Sequence, residues 1–259
     1  VKQTGIAYNM QLQKIVRAVK RDIDAQIVPL LKTLAPQYVQ DGWADTINVA
    51  IQQLLAKWTS PLARHAANQI AASFVKTALK ATDARQRRSL GVEQFTNSVQ
   101  MKSTLEAATL QNARLITSIP AQYLEQVSNI VMGNMRTGLR PSAIEAELMD
   151  QFGVSKRRAK FIARDQTAKV QGELTKQRQI DAGYQYFKWV DSEDQRVRHR
   201  HHEIAQAVTP YGVGVYRWTK LPLSDDGQPI QPGSDYNCRC IAVSVDDEDV
   251  EEFQSKRST

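Results

Sequence analysis

Cysteine is almost absent: the chain holds two, Cys238 and Cys240, in 259 residues. Two thiols separated by one residue cannot brace a scaffold, and at that spacing an extended backbone sits near the upper limit for bridging. Reduced thiols in a cytosolic compartment are therefore expected. Long apolar runs are missing as well, and nothing approaches the roughly 18 residues that a membrane-spanning helix needs. No membrane partner is expected. The opening "VKQTGIAYNM" has no apolar segment behind its lysine, so export by a signal peptide is not expected either. There is no HExxH helix, no phosphate-cradling GxxxxGK[ST], no GxSxG and no Cys/His pair with an orienting acid. No catalytic residue is assigned.

What is present is enough apolar content, 42%, to bury a core, and a net charge of +7 that is unevenly placed. Residues 151–200 hold twelve Lys/Arg against six Asp/Glu, whereas "DDEDVEE" at 246–252 packs six carboxylates into seven positions. A basic body suits nucleic acid or another polyanion, because phosphate contact needs only clustered Lys and Arg. A solvated helical surface accounts for the same residues. The acidic run reads as a flexible tail, 246–259, or as a segment that docks on a basic partner.

Apolar periodicity predicts helix almost throughout residues 11–182. Ile15, Val19, Ile23, Ile27 and Leu30 share one face, with Pro29 expected to bend or interrupt the helix. Ile47, Ile51, Leu54 and Leu55 repeat the pattern, and Ser60 followed by Pro61 reads as an N-cap and first helical position. The segment "ATDARQRRSLGVEQF" breaks the periodicity and reads as a connection. Helices then follow at about 98–117, 120–136, 141–152 and 155–181. Gly138 and Gly153 are read as stops, Ser142 with Glu145 as a capping box, and Ser155 as a cap. After Gly183, "YQYFKWV", "VYRW" and "CIAVSV" favour strands. The fold class is α+β: a helical arm (1–97), a domain (98–245) of helices 98–182 and a small β module 183–245, and the acidic tail.

Three pieces in order carry a resemblance: "RAKFIARDQT", "RVRHRHH" after a glycine and a "KWVDSEDQ" run, and the closing "PGSDYNCRC". Over roughly residues 100–245 the chain resembles the C-terminal domain of the Mu F-like minor head proteins, or head morphogenesis proteins, of tailed bacteriophages. The resemblance implies a structural minor head protein in the virion, in the capsid interior near the portal, and in the host cytoplasm during assembly. It implies the portal protein, the major capsid protein or both as partners, and a role in head morphogenesis, DNA packaging or DNA delivery. "RDQT" stands where the family commonly has "RTET".

Cys238 and Cys240, at i and i+2, point to one face of an extended chain. His201 aligns with the family histidine and can reach that face, giving a ligand set suited to zinc with His199, His202 or Asp194 as fourth ligand. Buried cysteines packing as small hydrophobes beside a hydrogen-bonded His201 are the other reading. No cofactor is required, and a structural zinc is the candidate. Asp194, Arg196, Arg198, Asn237 and Arg239 read as structural: Asn237 ties a loop, Arg239 pairs with a carboxylate such as Asp194, and Arg196 pairs within the module, while Arg198 either pairs there or contacts phosphate. Lys156, Arg157, Arg158, Lys160 and Arg164 are the candidate contacts to DNA, without sequence preference. A helix-turn-helix DNA-binding protein built on 141–166, and a metal-dependent nuclease built on "HRHH" and Asp194, are the alternatives.

Overall fold

The computed structural model describes residues 2–34, 43–91, 95–137 and 139–257. Helices make up most of it: α1 Lys2–Leu34, α2 Trp43–Trp58, α3 Pro61–Leu90, α4 Val99–Arg136, α5 Pro141–Asp181, α6 His199–Gln206 and α7 Asp247–Arg257. The strands are β1 Tyr186–Val190, β2 Val208–Thr209, β3 Gly212–Val213, β4 Val215–Arg217 and β5 Ile241–Val245. This is the mainly helical α+β fold that the sequence predicts. Among the described residues no helix is long and apolar enough to cross a membrane.

The chain forms two compact units. One takes in Gly5–Ser73 and Thr109–Ala163, and its described elements are helices; the other takes in Val1–Thr4, Phe74–Ala108 and Arg164–Thr259 and contains the strands. Both draw on both sides of the 97/98 boundary read from the sequence. In the helical unit, α1 buries Leu12, Val16, Val19, Ile23, Ile27 and Leu31, so its seam passes beside Ile15 and Leu30, which are half-buried. From α2 come Ile47, Ile51 and Leu54. Ser60 does cap α3, its Oγ accepting from the Ala63 N–H at 3.2 Å.

Several helix breaks read from the sequence are not breaks. Pro29 lies inside α1 and Pro120 inside α4. In the turn before Pro120, the Thr117 and Ser118 hydroxyls donate to the Ala113 and Leu115 carbonyls, a back-bonding that tends to bend a helix without ending it. Gly153 sits within the 41-residue α5, and it is not one of the glycines with positive φ, the conformation that ends a helix. Leu148, Ser155, Ala159 and Ile162 keep one face buried across it, which outweighs a glycine cost of about 1 kcal/mol. Ser155 is thus a buried mid-helix residue rather than a cap. Because α5 opens at Pro141, Ser142 is already its second residue and not the cap of a capping box. Gly138 lies outside the described residues.

The expected connection at 81–95 is helix as far as Leu90, where α3 ends against Gly91 at φ 65°. The periodicity vanishes there because the inner face is polar. Thr82 and Gln86 are buried, Arg85 donates to Thr175 Oγ1, and Asp83 pairs with Arg178, a guanidinium 1% exposed that also reaches Thr96 O and Asn97 Oδ1. The acidic run is likewise ordered, as α7, anchored by Val250 at 3% exposure.

The β module is a three-stranded antiparallel sheet in the order β4-β1-β5, with a separate β2-β3 ladder. Central β1 alternates, and its inward Phe187 and Trp189 pack with Ile204, Ala205, Trp218 and the two cysteines. Gly214, at φ 67°, lets β1 and the end of α6 converge: its carbonyl accepts from Trp189 N–H and its N–H reaches Ala207 O, both at 2.8 Å, and a Cβ would lie 2.4 Å from Ala205 O.

Candidate metal centre

Helix α6 turns about 100° per residue, so only one of its three histidines can share the inward face of Ile204 and Ala205. That histidine is His201, 3% exposed. From the other side, the extended segment leading into β5 presents Cys238 and Cys240, 3% and 7% exposed, with Arg239 between them turned outward. Their sulfurs lie 3.6 and 3.5 Å from His201 Nδ1, and one ligand atom from each of the three falls within 4.8 Å of the others. These three form a buried cluster that could hold a metal. The donor set, one imidazole and two thiolates, is that of a zinc or other thiophilic divalent ion.

The electrostatics suit such an ion. Cys238 is held well below the ordinary thiol pKa, first by a hydrogen bond with Cys240, against burial, then by His201 and the backbone N–H groups of Cys240 and Gly233. Cys240 is pushed up, by that same bond and by burial. One proton is therefore shared between the two sulfurs, and a bound cation would replace it. The Trp189 indole N–H finds no hydrogen bond of normal geometry, yet it faces Cys240 and favours its thiolate. The Trp189 ring meets His201 edge-on, with centroids 5.3 Å apart.

The expected fourth ligands are not brought to this cluster. His199 is almost fully exposed and pairs with Glu203 at 3.2 Å. His202 Nδ1 lies 3.0 Å from Asp191 Oδ2, and Asp194 is held by both arms of Arg239. The Asp194–Arg239 pair is the one the sequence predicts. Arg196 is exposed, and its backbone N–H meets Asp194 Oδ1 at 2.9 Å. Arg198 pairs with Asp235 at 3.2 Å and donates to Tyr236 O at 2.7 Å.

Asn237 takes the left-handed conformation, φ 52°, and ties the turn to α5 rather than to itself. Its N–H donates to Asp165 Oδ1 at 2.9 Å, and its Oδ1 accepts from Arg164 Nε at 2.9 Å. Buried Asp165 also takes Lys169 Nζ at 3.0 Å. Thus "RDQT" and "NCRC", noted separately in the sequence, fasten to each other. Asp165, Asp235, Asp191 and Trp189 were not singled out by sequence reasoning; an aspartate opening the turn before "YNCRC" was the one visible signal.

Among the candidate DNA contacts, Lys156, Arg157 and Lys160 are exposed on α5. Arg158 is half-buried and donates to Gln122 Oε1 and Ser118 Oγ, and Arg164 is committed to Asn237. Because α5 is continuous, these residues lie mid-helix and the turn of a helix-turn-helix is not formed at Gly153.

Residues 125–243 match the model of the family described as Phage Mu protein F like protein. An uncharacterized protein of Haemophilus influenzae is 28% identical over 253 residues, covering 94% of this chain and 54% of its own length. The chain therefore spans about half of that curated relative. No solved structure matches.

Proposed function

We propose that this chain, whose residues 125–243 are a Phage Mu protein F-like domain, is a structural minor head protein of a tailed bacteriophage. It acts from the capsid interior near the portal, in head morphogenesis, DNA packaging or DNA delivery, after assembly in the host cytoplasm. The family match carries this reading, since the family is one of phage head morphogenesis proteins. Its partners are the portal protein, the major capsid protein or both, and phage DNA touched without sequence preference by Lys156, Arg157 and Lys160. We read the role as structural rather than enzymatic: of the "HRHH" histidines and Asp194 on which the nuclease alternative rests, His199, His202 and Asp194 are engaged elsewhere, and His201 alone lies at the cluster.

Within the domain, His201, Cys238 and Cys240 hold a structural zinc that clasps the β module, whose own core is too small to be strongly stable unaided. The experiment on function is proteomic. Particles made by the genetic element that encodes the chain are stripped of tails, and the DNA-filled heads are analysed by mass spectrometry. The protein is expected at low copy number, and its absence from those heads overturns the assignment.

A further inference from the structure

We infer that Asp235, held in place by Arg198, is the positioning residue that fixes the His201 ring for metal binding. In the metal-bound protein its carboxylate takes the Nε2–H and leaves Nδ1, the nitrogen facing the two sulfurs, as the ligating atom. This rests on the metal reading of the same cluster. Both sulfurs approach Nδ1, at 3.6 and 3.5 Å, whereas the opposite nitrogen, Nε2, lies 3.4 Å from Asp235 Oδ2. The carboxylate is itself pinned. Oδ2 also forms an ion pair with Arg198 Nη1 at 3.2 Å, and Oδ1 accepts from the Tyr236 N–H at 2.7 Å. Arg198 is fixed in turn through its other nitrogen, which donates to Tyr236 O.

A neutral imidazole carries one proton, so whichever nitrogen finds the better acceptor keeps it. In the metal-free protein the Cys238 sulfur competes for that proton at Nδ1; once a cation sits between the sulfurs, Asp235 is the acceptor that keeps the proton on Nε2, and the nitrogen aimed at the sulfurs is then free to ligate. Metal-bound histidines commonly donate their second N–H to a carboxylate, and losing that partner costs about 10–100-fold in metal affinity. The arrangement also gives "RVRHRHH" a spacing rule. Arg198, at the N-cap of α6, and His201, one turn on, bracket a single carboxylate.

The test uses the full chain, prepared metal-free and titrated with zinc against a chromophoric chelator, with cobalt(II) as a spectroscopic substitute. Wild-type protein should bind one equivalent and show a thiolate-to-cobalt charge-transfer band. Asp235→Leu should bind about 10–100-fold more weakly, and Asp235→Asn, which keeps an acceptor oxygen for Nε2–H, should fall between. Nitrogen-15 NMR of zinc-loaded wild type should find the His201 proton on Nε2.

If wild type binds zinc and Asp235→Leu binds equally well with an unchanged cobalt spectrum, the positioning role is overturned and the metal reading stands. If wild type binds no zinc, the metal reading fails and the inference with it, whereas zinc held through Nε2 with the His201 proton on Nδ1 overturns the inference alone. Should Asp235→Leu not fold, Asp235→Asn and the wild-type proton position decide.

Discussion

The Asp194–Arg239 pair is a residue-scale consequence of strand parity. With Cys238 and Cys240 on the inner face, the residue between them must point out, and a guanidinium there meets the nearest carboxylate. Arg239, followed by the Arg196 N–H, holds the Asp194 carboxyl at about 2, well below its usual range. A carboxyl with a depressed folded pKa adds stability above its unfolded pKa, roughly 4, and loses that contribution as pH falls through the folded value. Comparing melting temperatures of wild type and Asp194→Asn should thus show a small gap at neutral pH, because the pair is exposed. The gap should close between about pH 4 and pH 2, and one that persists below that window would show that the pair acts other than through charge. The pairing was legible because it follows from a period of two. The Asp235–His201 contact was not, since it joins a turn to a helix and no sequence period links them.

At the scale of elements, the aromatic strands after Gly183 and the helical faces were legible from their periods, whereas prolines and glycines misled about where helices end. Pro29, Pro120 and Gly153 all sit inside helices, because tertiary burial of a continuous face outweighs a local cost of about 1–3 kcal/mol. Gly172, also inside α5, matters for a different reason: a Cβ there would lie 2.4 Å from Pro232 O. Facing it, Gly233, at φ 89°, brings its backbone to α5 and turns its N–H toward Cys238. In a free helix Gly172→Ala would gain about 1 kcal/mol of propensity. Here the added methyl meets a backbone carbonyl that cannot rotate away, and overpacking of this kind costs about 1–3 kcal/mol. A net loss of stability is expected in denaturant melts, with zinc affinity reduced because the Gly233 N–H moves. A stabilised variant would show that the 232–233 turn yields freely.

For the molecule as a whole, the +7 charge says little until the engaged cations are set aside. Arg158, Arg164 and Lys169 are spent on Gln122, Asn237 and Asp165, and the acidic stretch is drawn into α7. Lys156, Arg157 and Lys160 remain exposed within a single turn of α5, and the Gln13 amide beside them is turned to the protein, donating to the Lys156 carbonyl at 2.9 Å. Such a cationic group contacts phosphate and little else, so duplexes of unrelated sequence should bind equally. Each phosphate neutralised contributes about −0.9 to the slope of log affinity against log salt, so replacing all three by alanine should flatten that slope by about 3. Net charge alone would weaken binding too. The control is therefore Lys76, Lys80 and Lys102 to alanine, which removes the same charge from other exposed positions. Fluorescence anisotropy across a salt series reads both variants. Equal flattening would mean that only net charge attracts DNA, and a marked preference for one sequence would contradict the phosphate-contact reading altogether. A slope that falls only when the α5 cluster is removed locates the DNA-facing surface on that turn of the helix.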